Sequence, residues 1–184
     1  MKITTGKYKF KEIKSIKNNK LRPTSNKIRN AVFNILVNRY ELIKWSTHEH
    51  LLDAFSGTGV IALEGFSRNI AKATLIESDY LIFENLKKNI KSFNLIKKVK
   101  LINTDFFSIK LSKNEYSIVY LDPPYLSNYN NLAIKKILDE KSLKKNAIVV
   151  SETGKNHEYN NDLCKYIKII KQYGNTIITF FNFD

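Results

Sequence analysis

The residues best placed to do chemistry lie where two apolar runs end abruptly. In "YSIVYLDPPY" (116–125), a string of β-branched and aromatic residues stops at Asp122, Pro123, Pro124 and Tyr125. A carboxylate and a proline-stiffened carbonyl can each accept one N–H, and an aromatic ring beside them can hold a flat group against its face. In "LLDAFSGTGVIALEG" (51–65), Asp53 precedes Gly57 and Gly59, and Gly57-x-Gly59-x-x-Ala62 fits a dinucleotide fingerprint. Glycines there let the backbone approach a ligand, and the helix start that follows offers N–H groups to an anion. Glu77, twenty residues after Gly57, falls where an acid would hold ribose hydroxyls. The same turn also suits an α/β protein that binds no nucleotide.

Both sets need strand ends to carry them, and the hydrophobic period supplies these. Residues 50–55, 72–78, 99–105, 116–122 and 146–153 read as strands, and 58–68, 80–95 and about 131–143 as helices between them. Alternation of this kind predicts a mostly parallel sheet with helices on both faces. "RPTSNKIRNAVFNILVNRYELI" (22–43) precedes it with helical spacing: Thr24 to Asn26 offer caps, and Ile28, Val32, Ile35, Leu36 and Leu42 fall largely on one side. "YIKIIKQYGNTIITFFNF" (166–183) places two strands around Tyr173-Gly174-Asn175, too close for a crossover helix, so they form an antiparallel hairpin. "KYKFKEIKSI" (7–16) alternates with period two and predicts a short ribbon with its lysines on the open face.

A chain of 184 residues with 43% hydrophobic content can bury one full core. No stretch reaches the ~20 apolar residues of a membrane span, and the lysine-rich start does not resemble a signal region, so a cytoplasmic protein is expected. Cys164 is the only cysteine, and His48, His50 and His157 lack thiolate neighbours, so no metal site is expected. The net charge of +14 asks for an anionic partner such as a nucleic acid. Lysine outnumbers arginine 27 to 4, which an AT-rich coding genome would also produce. Position favours a partner: residues 1–29 hold ten basic residues against one acid, Glu12, and so carry nine of the fourteen net charges. Lys7, Lys9, Lys11, Arg22, Lys27 and Arg29 are the expected phosphate contacts.

The acid before the glycines and the C-terminal hairpin resemble class I S-adenosylmethionine-dependent methyltransferases, with their Rossmann-like fold. That resemblance assigns Asp53, Phe55, Gly57, Gly59 and Glu77 to the methyl donor. It also implies that Asp105 binds the adenine amino group and that Phe106 lies against the adenine ring; capping and core packing are the ordinary alternatives for these two. Asp122-Pro123-Pro124-Tyr125 matches the (Asp/Asn)-Pro-Pro-(Tyr/Phe) motif of enzymes that methylate planar, conjugated nitrogens. The lone pair of such an amine is delocalised into the ring. Hydrogen bonds from the amine to Asp122 and to the Pro123 carbonyl would draw it out, while Tyr125 stacks on the base.

More narrowly, the chain resembles the RsmD-type 16S ribosomal RNA guanine-N2 methyltransferases. The resemblance is carried by "LRPTSNKIRNAVFNIL" (21–36), "LLDAFSGTGVIALEGFSR" (51–68), "ATLIESD" (73–79), "LDPPY" (121–125) and "YGNTIITFF" (173–181). Asn69-Ile70 replaces a usual glycine-alanine, and Asn26 stands where an acid is common. The resemblance implies methylation of one guanine of 16S rRNA in an assembled or partly assembled small subunit. It divides the chain into a basic β-ribbon extension, 1–23, and a methyltransferase domain, 24–184. Adenine-N6 methylation of DNA or RNA, protein-glutamine methylation and a non-catalytic RNA-binding module are the other readings.

Overall fold

The computed structural model describes residues 1–16, 25–40, 49–124 and 128–184. Its strands are β1 (His50–Asp53), β2 (Lys72–Glu77), β3 (Val99–Asn103), β4 (Tyr116–Leu121), β5 (Leu143–Gly154), β6 (Ile167–Tyr173) and β7 (Thr176–Asn182). They form one sheet of order β3-β2-β1-β4-β5-β7-β6, in which β7 runs antiparallel to both its neighbours and the remaining pairs are parallel. The chain leaves β1 toward β2 on one side and returns to β4 on the other. A crevice therefore opens at the carboxyl ends of β1 and β4, where sheets of this type bind ligands.

Period-two alternation divides the core between the two faces. Leu51, Ile118, Tyr120, Ile148 and Val150 pack with α1 (Asn26–Asn38), α2 (Val60–Ser67) and α3 (Tyr80–Ser92). Leu52, Val119, Leu121 and Val149 pack on the opposite side with α4 (Tyr129–Asp139) and the short α5 (Asn161–Cys164). Ser25 caps α1 by accepting from the Ile28 N–H, and Asp79 caps α3 by accepting from Leu81 and Ile82. Most elements lie within a few residues of their expected ends; β5 is longer at its start, and Leu42 falls outside the described residues. Asn69 takes the place of a glycine by adopting φ 75°, a conformation asparagine tolerates, and lets Ile70 fold back to donate to the Gly65 carbonyl at 3.0 Å.

α2 is buried along its whole length, including Glu64. An acid is tolerated there because cations and donors converge on it. Arg29 Nε lies 3.2 Å from Glu64 Oε1, Arg68 pairs with Oε2, and Thr4 donates from its backbone N–H (3.0 Å) and hydroxyl (2.8 Å). This corrects one expectation. Arg29 is no phosphate contact: it is fully buried, reaches the Lys2 carbonyl (2.8 Å) and Asn26, and burial pulls its guanidinium below the ordinary value, with Glu64 opposing.

The N-terminal ribbon is also built differently from its alternation. One antiparallel bridge, Lys2–Glu12, closes it, and residues 5–10 are bends and turns. Ile3 and Ile13 enter the same core as α1 and α2, and Tyr8 packs edge-on against Phe93 at 5.2 Å. Phe10, expected on the inner face, points outward. The reason is backbone conformation: Gly6 (φ 85°) and Phe10 (φ 69°) both turn left-handed and break the period.

Candidate active site

The carboxyl ends of β1, β2 and β4 and the turn after β3 surround a cavity of about 560 Å³. Asp53 ends β1, opposite Tyr120 of β4 in the sheet register, and Glu77 ends β2. Asp122, Pro123 and Pro124 line the cavity just beyond β4; Tyr125 lies outside the described residues, as does Arg22. Asp105 and Phe106 line it from the short turn after β3, and with Asp53, Phe55, Gly57 and Glu77 six of the seven expected cofactor residues meet there; Gly59 does not line the cavity and instead packs against Leu86.

The glycine turn works through conformation and contact more than through free donors. Gly57 and Gly59 have φ of 51° and 79°, and a Cβ on Gly59 would come within 2.4 Å of Leu86 Cδ1. The N–H groups of the glycines themselves are turned inward: Gly57 donates to Glu77 Oε2 at 2.9 Å and Gly59 to the Ser56 carbonyl at 2.7 Å. The physical reason is that Glu77 bridges the turn and the start of α3, its other oxygen accepting from the Asp79 N–H at 2.8 Å. Burial raises the Glu77 carboxyl, and these backbone donors oppose the rise. Asp105 caps its turn through the Phe107 N–H at 3.1 Å while also lining the cavity, so capping and a ligand role are compatible. Phe106 is 2% exposed, packed 5.5 Å from Phe55 and 5.4 Å from Phe107.

Charge decides which nucleotide fits. Six acids line the cavity, namely Asp53, Glu77, Asp79, Asp105, Asp122 and Glu152, and no lysine or arginine does among the described residues. On a chain of net charge +14, that concentration of carboxylates is a local inversion. A pyrophosphate would meet acids and occupied N–H groups. A ligand with a sulfonium and an ammonium, an adenine and ribose hydroxyls meets carboxylates and aromatic faces. Asp53 is fully buried, and burial followed by the charge of Glu77 pushes its carboxyl up to about 7, the Phe55 N–H opposing.

Several lining groups are not marked by the sequence motifs, Tyr120 and Glu152 among them. Tyr120 donates to Glu152 Oε2 at 2.6 Å, and burial followed by the charges of Glu152 and Asp122 raises its phenol well above 10.0, so it is a neutral donor. The signal was available: "SET" places an acid at the carboxyl end of β5, next to the strand that ends at Asp122. Ser15 and Ile16 also line the cavity, which no local pattern indicated. Asn89 holds that end of the arm, bonding Lys14 through both its N–H and carbonyl and reaching the Thr58 carbonyl of the glycine turn at 3.0 Å.

Sheet order, antiparallel C-terminal hairpin and cation-favouring cavity together define an S-adenosylmethionine-dependent methyltransferase of the class I fold. Within that class, residues 1–182 match the family described as conserved hypothetical protein 95, and the chain belongs to it. The chain is 36% identical over 157 residues, 83% of its length and 78% of the relative's, to the ribosomal RNA small subunit methyltransferase D of Buchnera aphidicola subsp. Acyrthosiphon pisum. Among solved structures, a putative methyltransferase, yhhF, from Escherichia coli has a TM-score of 0.81 at 22% identity, covering 99% of this chain and 97% of that one. An RNA methyltransferase from Salinibacter ruber, in complex with S-adenosyl-L-homocysteine, has a TM-score of 0.66 at 19% identity and covers 88% and 93%. These two likenesses concern the fold.

Proposed function

We propose that this protein transfers the methyl group of S-adenosylmethionine to the exocyclic N2 amine of one guanine in 16S ribosomal RNA, in the cytoplasm, on an assembled or partly assembled small subunit. The observation that carries the reading is the cavity whose charged lining, among the described residues, is all acidic, with Asp122 and Pro123 in it, in a chain with relatives named small-subunit rRNA methyltransferases. Asp53, Glu77 and Asp105 hold the donor by its charges, ribose and adenine, with Phe55 and Phe106 against the ring. Bound S-adenosylmethionine supplies a methyl carbon on a sulfonium, whose carbon–sulfur pair stays on sulfur as a neutral thioether. Asp122 and the Pro123 carbonyl accept the two N–H groups of the target amine and turn its lone pair toward that carbon. The methylated nitrogen then sheds one proton to water, while Asp122 and the Pro123 carbonyl keep the amine in place by accepting its hydrogen bonds. Residues 1–23 act as a basic arm on the RNA backbone, with Lys7 and Lys9 exposed, and Lys27 is exposed beside it at the start of α1. Lys11 is exposed too, but its amine already donates to the Ser92 carbonyl at 2.7 Å.

The test is methyl transfer to small subunits, naked rRNA, DNA and protein, with digestion of the RNA to identify the methylated nucleoside. N2-methylguanosine is the expected product, and N6-methyladenosine would move the assignment to adenine. Asp122→Ala should keep the fold and donor affinity and lose about 10²–10³ in turnover, the range for one preorganised hydrogen bond to developing charge. Asp122→Asn keeps an accepting oxygen and should retain appreciable activity. A fully active alanine variant would reduce Asp-Pro-Pro-Tyr to a structural turn.

A further inference from the structure

The tip of the N-terminal arm holds an aromatic ring outward. Phe10 is 69% exposed, and its φ of 69° lies in the left-handed region, where a bulky side chain is an outlier. The turn around it is clamped. Gly6 sits so close to the Ser67 carbonyl that a Cβ would come within 1.9 Å of its oxygen. The Lys7 N–H donates to that same oxygen at 2.9 Å, Tyr8 donates to Ser67 Oγ at 3.0 Å, and the Phe10 N–H donates to Ile3 at 2.9 Å. Tyr8 is turned inward onto Phe93, so Phe10 is the ring left facing out.

One cation lies on it: Lys9 Nζ is 4.8 Å from the Phe10 centroid. Lys7 and Lys11 lie over the neighbouring Tyr8 ring at 4.9 and 5.6 Å. An outward phenyl that carries one ammonium fits a partner that is both anionic and flat, because a base can take the ring face while a neighbouring phosphate takes the amine it displaces. The same arm reaches the cavity through Ser15, five residues on, so the chain from Phe10 to the rim spans at most about 18 Å.

We propose that Phe10 stacks on an unpaired base of the RNA substrate close to the nucleotide entering the cavity, with the flanking lysines on its phosphates; this rests on the RNA reading above. Stacking is blind to base identity, so Phe10 would select unpaired geometry and not sequence.

The experiment compares binding of a short single-stranded RNA carrying a fluorescent purine analogue with binding of the same sequence as a duplex, across a salt series. Phe10→Ala should weaken single-strand binding roughly 5- to 150-fold and abolish the stacking quench, with the salt slope and duplex affinity unchanged. Phe10→Gly, which removes both ring and strain, should match it, and Phe10→Trp should restore affinity and quench. Lys7→Glu with Lys9→Glu should instead flatten the salt slope by about 0.7 for each phosphate the arm no longer neutralises. Wild-type affinity in Phe10→Ala and Phe10→Gly together with a flattened slope in the lysine variant would overturn the stacking and leave the RNA reading standing. Unchanged affinity and slope in every variant would remove the arm from the RNA and overturn both the stacking and the phosphate role of the lysines.

Discussion

Replacing Asp53 by asparagine should stabilise the ligand-free protein, and by an amount that depends on pH. The folded carboxyl is held at about 7 against an ordinary 3.8, chiefly by burial and then by Glu77. The folded state therefore keeps its proton where the unfolded chain has lost it. Stability from this group is fully present below about pH 4 and is lost as pH rises through 7. At about 1.4 kcal/mol for each pH step of one, the ceiling is about 4 kcal/mol near pH 8. Asparagine keeps an oxygen for the Phe55 N–H and never ionises. For a chain of this length about 2–4 °C accompany each kcal/mol, so the variant should melt several degrees above the wild type near pH 8, with roughly 16 °C as an upper bound. The two curves should converge toward about pH 4. Scanning calorimetry of both proteins without donor across that range is the assay. Parallel curves would mean that Asp53 is solvated, and the electrostatic account of the cavity would fall with it.

Two further outcomes concern the framework that holds the cavity. Arg29→Ala should cost up to about 3–5 kcal/mol in denaturant unfolding by taking one of the two guanidiniums from the buried Glu64, with Arg68 and Thr4 left to hold it, and Arg29→Lys should fail to restore it because a single amine cannot span Glu64, Lys2 and Asn26. Gly59→Ala should cost about 1–2 kcal/mol for its left-handed backbone and about 1–3 more for displacing Leu86, whereas Gly174→Ala, with φ 63° and open space around it, should lose the first part alone.

What could be read in the chain follows from how local each signal is. Strand and helix alternation is written every few residues, so the sheet, its hairpin and the crevice at β1 and β4 were legible, and with them the positions of Asp53, Glu77, Asp105 and Asp122. Burial of a charged residue is a matter of partners far away in sequence. Arg29 reads as one more cation in a basic stretch until α2 brings Glu64 against it. Tyr120 and Glu152 meet only because β4 and β5 are neighbours, and the hydrogen bond between them spans 32 residues. The arm failed for another reason: period two describes side chains, and at Gly6 and Phe10 the backbone sets the geometry.

The arm's attachments also fix an order of events during synthesis. It is made before the residues that fasten it. Thr4 bonds Glu64 across 60 positions, Tyr8 bonds Ser67 across 59, Lys14 bonds Asn89 across 75 and Lys11 bonds Ser92 across 81. Closing loops of that length costs chain entropy that only an already formed α2 and α3 can offset. Chain growth thus leaves the lysine-rich leading segment without its seat until α3 has emerged, and its docking reports that the donor-binding half of the sheet is in place.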